Sequence, residues 1–367
     1  MEIEQAKIYH HHTPRQYLLP WADADERIAW YGYGKVSRSG LTVVGGENDF
    51  YRLKELTIPD IDCLKLVIDG LPEIGRDGHR RFLEMYTLPT RLKRHLEEHN
   101  IQSPEAMKQL EVAISNLNEN YHAAIENGFW PYLEAIKNRD FSFYEDPQKA
   151  CGFFHGLYVQ YLRTKAVRER VCKKENVLFD DMERVWDVLS HILAVEAGGS
   201  FFVSRNEFRI LVLDNHTAVP FITADQPIIN MLTPGGGWDV PERMELYYPL
   251  SPTQAMLYLE TATPVVGIST SVSIDEAHRY NMMMLDHCAF RVFSNSEEYL
   301  KFLYSNDAQD IVARHFYRPR DPGVAAKYAR QFPNIPLVTI DAVFGGWTKA
   351  QATHFADHGT FDRIYGQ

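Results

Sequence analysis

Residues 200–230 read SFFVSRNEFRILVLDNHTAVPFITADQPIIN. Val, Ile and Phe recur in alternation, and Asn and Asp fall between them at turn-like intervals. The stretch therefore predicts three short strands. What precedes it has a different period. Segment 103–136 offers Ser103 as an N-cap and Pro104 at the first helical position. Apolar residues then follow in steps of three and four at Leu110, Ile114, Leu117, Tyr121, Ile125, Phe129, Leu133 and Ile136, which is one face of a helix that Pro131 should kink or interrupt. A second long helix is expected over 146–174. A third is expected over 179–199, stopping at Gly198 and Gly199.

Beyond residue 230, a glycine-rich loop, PGGGWD (234–239), leads to more strand in 244–260. Then come a helix over 273–288, a strand over 289–294 and a helix over 296–306. Near the start, 27–46 reads as a hairpin turning at its Ser/Arg/Gly cluster. Helices grouped before strands predict an α+β fold, not alternating βαβ units. The expected architecture is a central helical bundle packed on a mixed or antiparallel sheet, with an N-terminal β-hairpin. One body is expected over 1–317: arm and hairpin 9–58, helical region 60–199, sheet region 200–305. An irregular tail, 318–367, would follow.

The 367 residues are 45% hydrophobic, enough for a sizeable core. A net charge of −11 argues against a protein that coats nucleic acid, while leaving room for a local basic groove. Cys63, Cys151, Cys172 and Cys288 form no CxxC pair, so reduced thiols in the cytoplasm are expected. The acidic start, MEIEQAKIY, does not read as a signal peptide, and no apolar run is long enough for a membrane span.

Candidate chemistry clusters in a few places. His10, His11 and His12 precede Pro14 and Arg15. Imidazole transfers protons near neutral pH and binds metals. On an extended segment, His10 and His12 would share one side. Asp225 follows the strand-like Phe221–Thr223 and precedes Pro227, so it reads either as an acid on a rigid support or as a turn-stabilising carboxylate. Gln160, Arg163, Thr164 and Arg168 fall at helical spacing, and arginine offers a donor fork for phosphate or carboxylate; a solvated charged face is the plainer reading. Ser251 sits between Pro249 and Pro252 without the GxSxG context of a hydrolase nucleophile. HExxH, GxxxxGK[ST], GxGxxG and EF-hand patterns are absent. His354, Asp357 and His358 lie in the tail.

In this order, His10, His11, Pro14, Tyr17 and Leu18, then Gln160, Arg163 and Thr164, then Phe221 to Pro227, Pro249 to Pro252, Asn281 and Arg291 resemble the bacterial family called domain of unknown function 4238. Ala224 stands where that family has Ser, and neither 52–100 nor the tail matches its pattern. The resemblance implies no substrate. It implies that His11, Arg163 and Asp225 act together.

Three expectations follow. In the first, His10, His11 and Asp225 are catalytic, with His11 and Asp225 as general base and acid or as ligands of a divalent metal ion. Arg15, Gln160, Arg163, Thr164, Arg168, Thr223, Ser251, Asn281 and Arg291 bind substrate. The reaction is phosphoester hydrolysis, extending to a nuclease in a bacterial defence or toxin role. In the second, the same pocket binds a small anionic ligand without turnover. In the third, the polar residues are hydrogen-bonded pegs.

Overall fold

The computed structural model describes residues 5–172, 178–232, 244–260 and 267–304. In chain order the elements are β1 (Tyr9–His11), α1 (Arg15–Leu18), β2 (Arg27–Gly32), β3 (Lys35–Gly40), β4 (Gly46–Asn48), α2 (Ile58–Gly70), α3 (Glu73–Glu98) and α4 (Pro104–Lys137). They continue with α5 (Ser142–Glu145), α6 (Pro147–Leu162), α7 (Lys165–Cys172) and α8 (Met182–Val203). The rest are β5 (Phe208–Asp214), β6 (Thr223–Ala224), β7 (Ile229–Asn230), β8 (Glu245–Ser251), β9 (Gln254–Glu260), β10 (Ile268–Ser271), α9 (Ile274–His287), β11 (Val292–Ser294) and α10 (Glu297–Tyr304). The fold is α+β. The loop 234–239 and the tail 318–367 lie outside the described residues.

A five-stranded sheet, ordered β10-β5-β9-β8-β7, divides the core. It is antiparallel except where β10 runs parallel to β5. Period-two alternation sends its side chains to two apolar clusters. Ile210, Val212, Leu246, Tyr248, Met256 and Tyr258 face the helices α2–α8. Leu213, Tyr247, Ala255 and Leu257 join α9, α10 and the four-stranded sheet β3-β2-β11-β6.

Two glycines let the helices approach closely. A Cβ on Gly156 of α6 would lie 2.5 Å from the Phe129 ring of α4. A Cβ on Gly198 of α8 would lie 3.1 Å from the backbone of His155 in α6. Gly198 and Gly199 therefore do not end a helix; α8 runs through both to Val203, because the tight crossing needs Gly198 where it is. Pro131 likewise lies inside α4, which continues to Lys137.

The expected 146–174 helix is instead two helices. Arg163 caps α6, and Thr164 Oγ1 accepts the Val167 N–H at 3.4 Å as α7 begins. The hairpin is present, but its turn is Tyr33–Gly34, where both residues have positive φ (52° and 73°), as a two-residue turn matched to strand twist requires. Ser37, Arg38 and Ser39 are paired inside β3.

Candidate functional site

The N-terminal arm lies along α4 on polar anchors. Ser115 Oγ donates to Lys7 O at 2.6 Å, Lys7 N donates to Asn116 Oδ1 at 2.7 Å, and Asn116 Nδ2 donates to Gln5 O at 2.8 Å. β1 then pairs antiparallel with β4. This route carries the three histidines into the protein.

His10 is fully buried, and both ring nitrogens are used: Nδ1 accepts the Tyr51 N–H at 2.8 Å, and Nε2 donates to Lys7 O at 2.9 Å. Burial lowers its pKa. The ring is thus a neutral peg with no lone pair for a substrate, contrary to its expected catalytic role. His12 is buried against Phe50, and desolvation together with Arg163 and Lys165 drives its pKa down to about 3. His11 differs. Its backbone N donates to Glu119 Oε1 at 3.4 Å, while its own Nε2 is buried with no hydrogen-bond partner among the described residues. Burial again lowers its pKa, with Glu126 pulling up and Arg163 pulling down.

Arg163 is buried at the α6–α7 break, 3% exposed. Nε donates to the Tyr51 hydroxyl at 2.9 Å, Nη2 to His11 O and Nη1 to Glu126 Oε1. Burial opposes its charge, but Glu126, Tyr51 and Glu119 outweigh that and hold it protonated. Glu119, on the same helix as Glu126, has its carboxyl pushed up by burial against the pull of Arg163, and its Oε2 is buried without a hydrogen bond among the described residues. Glu119, His122 and Glu126 are three and four residues apart, on one face of α4. Sequence reading missed them because it followed the apolar stripe of the same helix; acidic residues and a histidine recurring at helical period were the available signal.

Asp225 is 2% exposed, not a carboxylate open to solvent. Oδ1 accepts the Ala289 N–H at 2.9 Å; Oδ2 accepts those of Phe290 at 2.7 Å and Arg291 at 3.0 Å. Desolvation raises its carboxyl to about 6 against these bonds. Asp225 thus clamps 289–291, a long-range version of the turn-stabilising reading. The Arg291 guanidinium lies over the Trp30 ring at 4.8 Å.

The other expected residues divide between this region and elsewhere. Thr164 donates to Gln226 Oε1; Gln160 is buried, with Nε2 lacking a partner among the described residues; Arg168 donates to Phe50 O at 2.9 Å. Thr223 bonds the Tyr17 hydroxyl at 2.7 Å. Arg15 is exposed, pairs with Glu26 and lies near enough to His11 to help lower its pKa. Ser251 accepts the Thr253 N–H at 3.2 Å within a turn. Asn281 spans Ile222 N and Pro220 O at 2.9 and 2.7 Å and so fixes a buried loop, not a ligand.

The proposed metal pair does not fit. Asp225 spends both oxygens on backbone N–H groups, and among the described residues no three His, Cys, Asp or Glu side chains are placed to hold an ion. The four cysteines are free, and among the described residues no helix is long and apolar enough to cross a membrane.

The chain matches sulfate-binding proteins of Salmonella typhimurium and Escherichia coli at 61% and 59% identity over 69 residues, 19% of this chain and 21% of theirs. It matches a thiosulfate-binding protein of Pseudomonas aeruginosa at 43% over 72 residues, 20% of this chain and 22% of that one. The chain thus spans about a fifth of the length of these curated relatives. No solved structure matches it. The profile of the family described as protein of unknown function DUF4238 matches residues 9–298, from the first residue of β1 into α10. That span takes in the arm histidines, Arg163, Asp225 and Arg291 together, and the chain belongs to this family.

Proposed function

We infer that the chain is a binding module for a small anionic ligand, with Arg163 as the anchoring donor. One asymmetry carries this reading. The Arg163 side chain is 2% exposed while the Glu126 side chain facing it is 29% exposed. Tyr51 and His11 O fix two sides of the guanidinium; the third side faces a carboxylate at the solvent boundary. A phosphate or carboxylate that displaces Glu126 would meet a donor already oriented and desolvated, which lowers the ordering cost of binding. The unpartnered His11 Nε2 and Glu119 Oε2 supply further polar contacts. The free cysteines are in keeping with a cytoplasmic ligand. The local matches to sulfate-binding proteins are too short to bear on this reading.

A second reading keeps the place and adds chemistry: phosphoester hydrolysis, extending to a nuclease of bacterial defence. It is favoured by a neutral imidazole with a free ring nitrogen, His11, next to a carboxyl of raised pKa, Glu119. One experiment addresses both readings. Thermal unfolding is followed with inorganic phosphate, sulfate and a nucleoside monophosphate for the parent, Glu126→Gln and His11→Ala proteins, together with release of p-nitrophenol from a phosphodiester. Binding predicts anion-dependent stabilisation that strengthens about tenfold in affinity when the competing Glu126 charge is removed. Turnover lost only in His11→Ala would establish hydrolysis. No anion-dependent shift in any of the three proteins leaves the residues as pegs.

A further inference from the structure

Helix α3 buries one face and exposes another. His79, Phe82, Leu83, Tyr86, Thr87, Pro89 and Thr90 are packed inside. Ile74, Met85, Leu88 and Leu92 are 100%, 39%, 51% and 44% exposed. These four do not scatter. With Gly78, Arg81 and His95, all exposed, they occupy successive steps of four and three residues, the spacing of a helix seam that meets another helix. The seam from Ile74 to Leu92 is about 27 Å long at the rise of an α-helix. Single exposed apolar residues are ordinary, whereas a periodic row of them is the pattern of an interface.

The flank of the seam indicates what covers it. Glu84 and Arg91 lie on one side of it, seven residues apart, both exposed and neither in an ion pair among the described residues. We propose that α3 is the two-fold interface of a homodimer, pairing antiparallel with α3 of a second copy. When the two-fold axis passes between Met85 and Leu88, Met85 meets Leu88 of the partner subunit and Leu92 lies under the aliphatic stem of the partner's Arg81. Glu84 then faces the partner's Arg91, and symmetry makes that contact twice. The surface is self-complementary in residue spacing and charge, as an isologous interface must be. Reversed in charge at only one of the two positions, it would be self-repelling.

This makes the test a charge swap on the full chain. Glu84→Arg, Arg91→Glu, the double variant and Leu88→Glu are compared with the parent by sedimentation velocity from 1 to 100 μM, at low and at 0.5 M salt. The parent sediments as a dimer. Each single reversal raises the dissociation constant about tenfold at low salt, and the double variant returns to within about twofold of the parent. High salt shrinks these differences. Leu88→Glu is monomeric, with unchanged circular dichroism. A parent that stays monomeric at 100 μM overturns the proposal, as that seam would then be open or covered by another part of the chain. So does a dimer that ignores the single reversals, or one that the double variant fails to restore.

Discussion

Three N–H groups in a row, those of Ala289, Phe290 and Arg291, point at one buried carboxylate. Asp225→Asn keeps the shape but replaces one acceptor oxygen with an NH2 that faces donors. The unpaired groups should cost about 2–3 kcal/mol in urea unfolding, with the loss felt where β11 joins β2 and β6. A change below about 0.5 kcal/mol would mean that the clamp is not holding this loop. Residue types were readable in the sequence. The arm at His11–Thr13 does touch both later segments, but through backbone carbonyls: Arg163 donates to His11 O, and Thr13 Oγ1 donates to Asp225 O at 3.4 Å, while the Asp225 carboxylate turns to 289–291. What each atom bonds was not readable. Whether a histidine is a base or a peg depends on which neighbours reach its two nitrogens. For His10 those are Lys7 O and Tyr51 N, the second of them 41 positions away.

At the scale of elements, periodicity located the long helices and the later strands, while boundaries failed wherever tertiary contact overrode local preference. Gly198–Gly199 is the clearest case. Both glycines lie within α8, but only Gly198 faces the backbone of α6; nothing lies within 4 Å of a Cβ on Gly199. The two alanine substitutions should therefore act in opposite directions. Gly198→Ala pushes two helix backbones apart and should destabilise by about 1–3 kcal/mol. Gly199→Ala gains helix propensity and should stabilise by about 0.5–1 kcal/mol. Equal effects of the same sign would contradict a close α6–α8 crossing. The break at Arg163–Thr164 was hidden for a related reason. Both residues are acceptable in a helix; the partners that hold the break come from distant segments, with Glu126, Tyr51 and His11 O on the Arg163 guanidinium, Tyr51 on the Arg163 carbonyl and Gln226 on Thr164.

For the molecule as a whole, the arm histidines and the helical core set a common pH dependence. His12 and His191 are both driven to about 3, first by desolvation, and His10, His11, His122 and His155 are lowered for the same reason. In the unfolded chain each titrates near 6.5. Below that pH the unfolded state takes up protons that the folded state refuses, so the stability these rings contribute is present above about pH 6.5 and is lost as pH falls toward 3. Each contributes at most about 1.4 kcal/mol per pH unit. Asp225 works the other way: its folded carboxyl protonates near 6, before its unfolded counterpart at 3.8, so it adds stability as pH falls across that window. Glu119, Asp187 and Glu207, whose carboxyls burial also raises, act in the same sense as Asp225. The six lowered histidines outnumber these four carboxyls, so the urea unfolding free energy should drop between about pH 6.5 and 4.5. His12→Gln should make that drop shallower, and Asp225→Asn, starting from its lower stability, should make it steeper. A flat profile in the parent, or variants that shift its height without changing its slope, would show that these rings are solvated in the folded protein. The sealing of the N-terminal arm against α4 would then be wrong.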